Sequence, residues 1–424
     1  MSSPQPFAGI EVVEFGQFIA VPYCAQLLAE GGAHVIKVES LEGDPVRHLS
    51  PLAPGETRHF ISRNRGKHSL PLDLKHPRAR GVLDALLARA DVVLTNLRPG
   101  LAEDLGLDHA SLAKRFPRVI TGNVTAFGHE GPDARLAGMD LVVQARSGLM
   151  AANGRVRDGL PMAGDPPIID YMCAMSLAFG ISAALFRRER TGLGGEVEVN
   201  LLMAGMALQT NFVLRVDSVD GPVHRDALRQ LEEARQRGAP FPEQAAILPA
   251  SRANYMSGVY YRTYATKDSV VAVACSSPAL QRAFAKAVGF EDAAQTGEIP
   301  RGDLPRHYAA LQHQAEYLLR EKTTADWKPV FDAHGVPASD VKFPIELLDD
   351  PQVTANGMVY DMPHPVLGNV RVLANPVDLD ANGFRPAGAT AAFGSETRSL
   401  LGELGFGPEE VNAFLAERLT HEGA

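Results

Sequence analysis

The first two hundred residues repeat one pattern, and it restricts the folds open to the chain more than any other feature. A short β-rich apolar run is followed by apolar residues at helical spacing, then by another short run. Residues 10–15 are the first run, and 22–30 read as a helix stopped at Gly31-Gly32, where glycine readily ends the last turn. Residues 35–38 and 69–74 are further runs. Val82, Leu83, Leu86, Leu87 and Ala90 then share a helical face, 92–97 follows as a strand, and 119–127 closes the series. A long apolar helix at 171–188, a glycine-rich turn at 191–195 and a strand at 196–199 come next. Strands alternating with helices of these lengths predict βαβ units and a mainly parallel, doubly wound α/β sheet, whose ligands sit at the C-terminal ends of its strands.

The pattern changes after residue 216. Residues 217–257 mix charge runs with Pro240, Pro242 and Pro249 and read as a linker or mobile surface segment. Residues 259–275 read as a hairpin turning at Lys267-Asp268, and amphipathic helices near 278–288 and 305–321 point to a smaller α+β domain. The chain then becomes richer in loops and ends in two short helices near Glu396 and Pro408.

Composition removes several classes of function. With 41 basic against 50 acidic residues the net charge is −9, so no global basic field draws nucleic acid or acidic lipid. Cys24, Cys173 and Cys275 are far apart, form no C-x-x-C pair and suit a reducing compartment. The start lacks the layout of a signal peptide, and the longest apolar stretch, 171–186, is 16 residues. A membrane span needs about 20. A cytoplasmic protein bound to neither membrane nor nucleic acid is expected. There is no G-x-G-x-x-G after a strand, no P-loop, no G-x-S-x-G elbow and no H-E-x-x-H, and the 13 histidines suggest no metal site.

What remains is a set of carboxylates at helix starts and a group of cations. Asp170 follows the stiff Asp165-Pro166-Pro167-Ile168-Ile169 and precedes the apolar helix. Read by position, it caps the helix, accepting the first N–H groups while the helix dipole keeps it ionised, the form a nucleophile needs. Asp140, before Leu141-Val142-Val143, admits the same cap reading. Arg63, Arg65, Lys67, Lys75, Arg78, Arg80 and Arg98 form either a phosphate site or a solvated charged face.

Several stretches, taken in order, resemble the class III CoA-transferase family (CaiB/BaiF type), which includes formyl-CoA and carnitine-CoA transferases. They are GIEVVEFGQFIAVPYCAQLLAEGGAHVIKVE, NRGKHSLPLDLK, ADVVLTNLRPG, FGHEGPDARLAGMDLVVQARSGLM and ALFRRERTGLGGEVEVNLL, then GVPAS, LLDDPQV, HPVLG and ETRSLLGELGF. The resemblance covers most of the chain and is weakest at 217–257. It implies that Asp170 is the nucleophile and that CoA passes from an acyl-CoA donor to a free carboxylic acid through aspartyl anhydrides and an aspartyl-CoA thioester. N–H groups at the helix start would stabilise the oxyanions. CoA contacts carry over to Phe18 and Ile19, to Leu72, Asp73 and Lys75, and to Asn96, Leu97 and Arg98, with Asp140 in the family's acidic position. CoA and acyl-CoA enter as substrates, with no tightly bound cofactor and no metal.

Three positions depart from the family pattern. Ser40 and Asp104 stand where basic residues are common, which shifts the phosphates toward Arg63, Arg65 or Lys67. Met139 stands where racemases of the family carry histidine, which favours transfer over racemisation. The glycine-rich loop that covers the nucleophile in formyl-CoA transferases has no counterpart. The expected organisation is a large domain at 1–222, an inserted smaller domain at 223–344 and a returning segment at 345–424, in an interlocked homodimer. A racemase or isomerase of 2-substituted acyl-CoA thioesters and a non-catalytic acyl-CoA-binding protein are the alternatives.

Overall fold

The structure is a computed structural model of the 424-residue chain and describes residues 5–247, 257–380 and 383–423. These gather into two compact units, one of Met1–Val219, Gly238–Ala245 and Gln352–Ala424, the other of Asp220–Arg237 and Ala246–Pro351.

Strands β1 (Glu11–Phe15), β2 (His34–Glu39), β3 (His68–Pro71), β4 (Val92–Thr95), β5 (Ile120–Thr125) and β6 (Gly195–Asn200) form one sheet in the first unit. Its order is β3-β2-β1-β4-β5-β6, and every neighbouring pair is parallel. All six predicted runs became its strands. The inner strands β1, β2 and β4 read as near-continuous apolar runs because both their faces are buried, whereas the edge strand β6, GEVEVN, alternates. Val12, Val35, Val92 and Leu94 belong to one core, and Val13, Ile36, Val38 and Val93, one residue out of step, to the other.

Helices α1 (Ala20–Glu30), α2 (Arg58–Asn64), α3 (Ala79–Arg89), α4 (Asp140–Arg146), α5 (Ile168–Thr191) and α6 (Leu201–Ala207) matter for the site. α1 and α5 pack in the first core; α3 packs in the second with Leu400, Leu401, Val411 and Phe414 of the two C-terminal helices, Thr397–Glu403 and Pro408–Ala416. A hairpin of Val359–His364 and Gly368–Leu373 in this returning segment has no counterpart in the sequence reading.

α5 is 24 residues, longer than the predicted 171–188, because the chain stays helical from Ile168 and on through Arg188 and Arg190, whose charges suit a helix C-terminus. It is long and apolar enough to cross a bilayer, yet Ile169, Cys173, Leu177 and Ile181 lie fully buried in the core. Gly122 on β5 permits this close seat, since a Cβ there would stand 2.5 Å from Leu94 and 3.0 Å from Ile181.

The segment expected to be a linker contains a 20-residue helix, Asp217–Gln236, and a shorter one, Phe241–Ala245. The charge run that reads as loop is a helical ladder: Arg229 pairs with Asp226 at 2.6 Å and Glu233 at 2.7 Å, one turn to either side. Residues 248–256 of that segment, including Pro249, lie outside the described residues.

In the second unit Tyr261–Ala265 and Val270–Ala274 pair antiparallel about the predicted turn, and Ala338–Asp340 adds a third strand. Helices Pro278–Val288, Leu304–Leu319 and Thr324–His334 supply side chains to a core containing Tyr260, Tyr264, Phe284, Trp327 and Phe331.

Candidate active site

From β1 the chain steps outward through β2 to β3; from β4 it steps the other way, through β5 to β6. Loops at the C-terminal ends of β1 and β4 therefore diverge, and doubly wound sheets bind ligands at that divergence. A cleft of ≈ 820 Å³ opens there, lined by Phe18 and Ile19 after β1, Asn96, Leu97 and Arg98 after β4, and Asp170 from α5. Six of the predicted site residues thus share one cleft. Leu72, Asp73 and Lys75 do not line it. Leu72 is buried in the second core, the Asp73 carboxylate accepts the Lys75 N–H at 3.0 Å, and the Asp73 N–H donates to the Leu419 carbonyl at 2.9 Å.

The turn from β1 into α1 is built tightly. Gly16 has no room for a side chain, because a Cβ would meet Val21 at 2.3 Å, and Phe18 holds φ +65°, a conformation that L side chains rarely adopt. Asn96 clamps the peptide between them: its Oδ1 accepts the Gln17 N–H at 2.9 Å and its Nδ2 donates to the Gln17 carbonyl at 2.8 Å. Below the turn, Lys37 donates to the Gly16 carbonyl at 2.6 Å and to Glu14 at 2.9 Å. Lys67 reaches the Pro22 carbonyl at 2.7 Å, Asn64 at 2.8 Å and the other Glu14 oxygen at 2.7 Å. Burial pulls the Lys67 ammonium down to about 8, with Glu14 opposing.

Two of the three cations expected to take over the phosphates are therefore committed elsewhere. Lys67 supports the turn, and Arg65 is buried against Glu30 at 2.8 Å. Neither can leave its partner without stranding a buried carboxylate. At its own N-terminus α1 receives no side-chain cap from Ile19, and its third position is Pro22, which has no N–H. With no side-chain cap from Ile19, the Ala20 and Val21 N–H groups form the positive end of a helix beside the cleft.

The nucleophile candidate differs from its sequence reading in two ways. Asp170 does not cap α5; it sits in the first turn, and Pro167 holds the cap position. The capping carboxylate is Asp140, 30 residues earlier, whose Oδ2 accepts the Ile169 N–H at 2.9 Å and the Asp170 N–H at 3.1 Å. Nor does Asp140 cap its own helix α4, where Met139 is the N-cap residue. Buried Gln144 fixes Asp140 in turn, donating to its Oδ1 and accepting the Gly164 N–H at 2.9 Å from the segment leading into α5. The N–H groups expected to stabilise oxyanions at this helix start are thus already occupied at Ile169 and Asp170.

The second difference is electrostatic. Burial, then the neighbouring Asp140 charge, push the Asp170 carboxyl up to about 7, with Arg63 opposing. Arg63 is nearly buried; its Nε donates to the Tyr171 hydroxyl at 3.3 Å, so it stands beside the nucleophile candidate. Cys173 is no rival nucleophile, because burial pushes its thiol up to about 12. Asn96, Gln144, Lys37 and Glu14 were not recognised from sequence in these supporting roles. Glu14 and Lys37 did carry a signal, as single charges inside the apolar runs EVVEF and HVIKVE. Among the described residues no group of three or more His, Cys, Asp or Glu is arranged to hold a metal ion.

The family model described as CoA-transferase family III matches residues 7–397. Cinnamoyl-CoA:phenyllactate CoA-transferase of Clostridium sporogenes is 27% identical, over 96% of this chain and 95% of its own. Succinyl-CoA:glutarate CoA-transferase of Mus musculus is 26% identical, over 95% of this chain and 87% of its own. The crystal structure of a CAIB/BAIF family protein from Brucella suis superposes with a TM-score of 0.73 at 25% identity, covering 95% of this chain and 100% of that one. A likeness of sequence and fold running through nearly the whole chain, over a cleft at the switch point of the sheet, makes this protein a member of CoA-transferase family III and an enzyme of CoA transfer.

Proposed function

We propose that this enzyme transfers CoA from an acyl-CoA donor to a free carboxylic acid through Asp170 as covalent nucleophile. The observation that carries the reading is a half-buried carboxylate lining the cleft, with its backbone held by Asp140 and its proton affinity raised. The Asp170 carboxylate attacks the thioester carbon; the C–S bond breaks, leaving an acyl-aspartyl anhydride and CoA thiolate. The thiolate attacks the aspartyl carbonyl, releases the donor acid and forms an aspartyl-CoA thioester. The acceptor carboxylate attacks that thioester and frees the thiolate again. Attack of the thiolate on the acceptor acyl carbon then restores Asp170. No net proton or electron is exchanged.

A poorly solvated carboxylate is a better nucleophile than a water-exposed one, and among the described residues no direct ion pair ties up its oxygens before attack. Phe18, Ile19, Leu97 and Arg98 are the proposed CoA contacts, with the uncapped start of α1 beside them as an anion-favouring element. Asn96 acts on the loop rather than on CoA, since both ends of its amide are used on Gln17. Met139, which is not an acid or base, supports transfer over two-base proton exchange.

An exposed apolar face on α5, with Phe179 at 78% and Phe186 at 67% exposure, supports an interlocked homodimer. The smaller unit as an inserted domain and a cytoplasmic location belong to the same reading. The two relatives named above act on chemically different acids, so their names leave the acyl class open.

Intact-mass measurement after mixing with a panel of acyl-CoA donors tests the nucleophile. An acyl or CoA adduct released by hydroxylamine is expected in the wild type and not in Asp170→Ala. An adduct that persists in the variant means another nucleophile. No adduct with any donor, together with α-proton exchange in deuterated water, means an isomerase.

A further inference from the structure

The acyl end of the cleft is apolar and, among the described residues, holds no free cation. Leu136 is 53% exposed, Met139 53% and Val142 50%, and all three line the cleft. Met139 stands one residue before Asp140 and Val142 two after it; the Asp140 carboxylate holds the Asp170 N–H at 3.1 Å, and Met139, Val142 and Asp170 line the same cleft. Large apolar side chains left half-open around a reacting group are covered when a hydrocarbon group enters, a gain that grows with the apolar area removed from water.

The charges of the cleft point the same way. Glu103, Asp108, Asp170 and Glu196 line it, against one guanidinium, Arg98. Arg98 follows β4, at the end assigned above to CoA. The lining imidazoles are engaged: His109 bonds the Thr121 hydroxyl at 2.9 Å and His129 meets Glu198 at 3.1 Å. Arg63, the cation beside Asp170, does not line the cleft and is held by the Tyr171 hydroxyl and the His59 carbonyl. A second carboxylate on the acyl group would be desolvated among apolar side chains and acids, with Arg98 the one guanidinium among the described lining residues.

We propose that the acyl groups carried by this enzyme are those of apolar monocarboxylic acids, alkyl or aryl, seated on Leu136, Met139 and Val142, and that dicarboxylic acids are excluded. This rests on the reading of Asp170 as the carrier and names the substrate class of that site.

The test is the affinity of the intact protein for CoA thioethers, which cannot react, measured by titration calorimetry. S-alkyl-CoA from four to eight carbons and S-benzyl-CoA are compared with S-(carboxyalkyl)-CoA of matching length. Affinity is expected to rise about fourfold per buried methylene. Each carboxylated thioether should bind at least about tenfold more weakly than its alkyl partner. Met139→Lys, which places a cation on the same wall, should narrow or reverse that difference. Carboxylated thioethers binding as tightly as alkyl ones to the wild type, or an affinity indifferent to chain length, would overturn the proposal. The thioether order is read without catalysis, so it stands or falls separately from the adduct on Asp170.

Discussion

Ionising Asp170 works against the folded protein, because its charge is half-buried and faces Asp140. A carboxyl raised from its ordinary value to about 7 costs the fold nothing below pH ~3, where it is protonated both folded and unfolded. The cost grows as pH rises and is complete above about 7. Asp170→Asn should therefore be more stable than the wild type at pH 8, by ~2–4 kcal/mol, and equal to it near pH 3, as measured by urea denaturation at the two pH values. The same group sets the expected pH dependence of catalysis. Attack needs the carboxylate, so kcat/KM should fall about tenfold per unit as pH drops below about 7. Asp140→Asn removes the opposing charge and should move that limb to lower pH, provided Gln144 reorients to accept from the new amide. A limb that stays near 7 in the variant would show that burial alone holds the value up.

The turn from β1 to α1 shows how an element is held in an unfavourable conformation by what lies under it. Glu14, Lys37 and Lys67 are all buried, and the two ammonium groups take the Gly16 and Pro22 carbonyls on either side of Phe18. Lys67→Met leaves one Glu14 oxygen and the Pro22 carbonyl without their cation. It should destabilise the protein by ~3–5 kcal/mol, checked by thermal or chemical denaturation. Asn96→Ala removes two bonds to the Gln17 peptide and should cost ~1–3 kcal/mol; it should also weaken binding of free CoA by calorimetry, since Phe18 is then free to relax. The inner strands of this sheet were legible in the chain because double-sided burial writes them as short, mainly apolar runs, interrupted by single charges such as Glu14 and Lys37. The helix at Asp217–Gln236 was not legible, because a polar, charge-paired helix has the composition of a loop and differs only in its i,i+4 order.

For the whole molecule, the exposed apolar face of α5 bears on assembly. If it is covered in a homodimer, Phe179→Lys with Phe186→Lys should shift sedimentation velocity from dimer toward monomer, while single surface changes elsewhere should not. A dimer that persists in the double variant would move the interface to another face. The alternation of strand and helix and the order of family motifs were enough to settle the sheet and the family, because both are properties of local periodicity and of residue types in sequence. The candidate site was legible in part: Asp170, Phe18, Ile19, Asn96, Leu97 and Arg98 meet in one cleft, while Leu72, Asp73, Lys75 and Asp140 do not line it. Their roles were not legible. Which aspartate caps α5, whether Arg65 and Lys67 face a ligand or a buried glutamate, and where Leu72 points all depend on partners distant in the chain. Only the packed structure brings those partners within hydrogen-bonding distance, and only there do burial and a neighbouring charge decide how tightly Asp170 holds its proton.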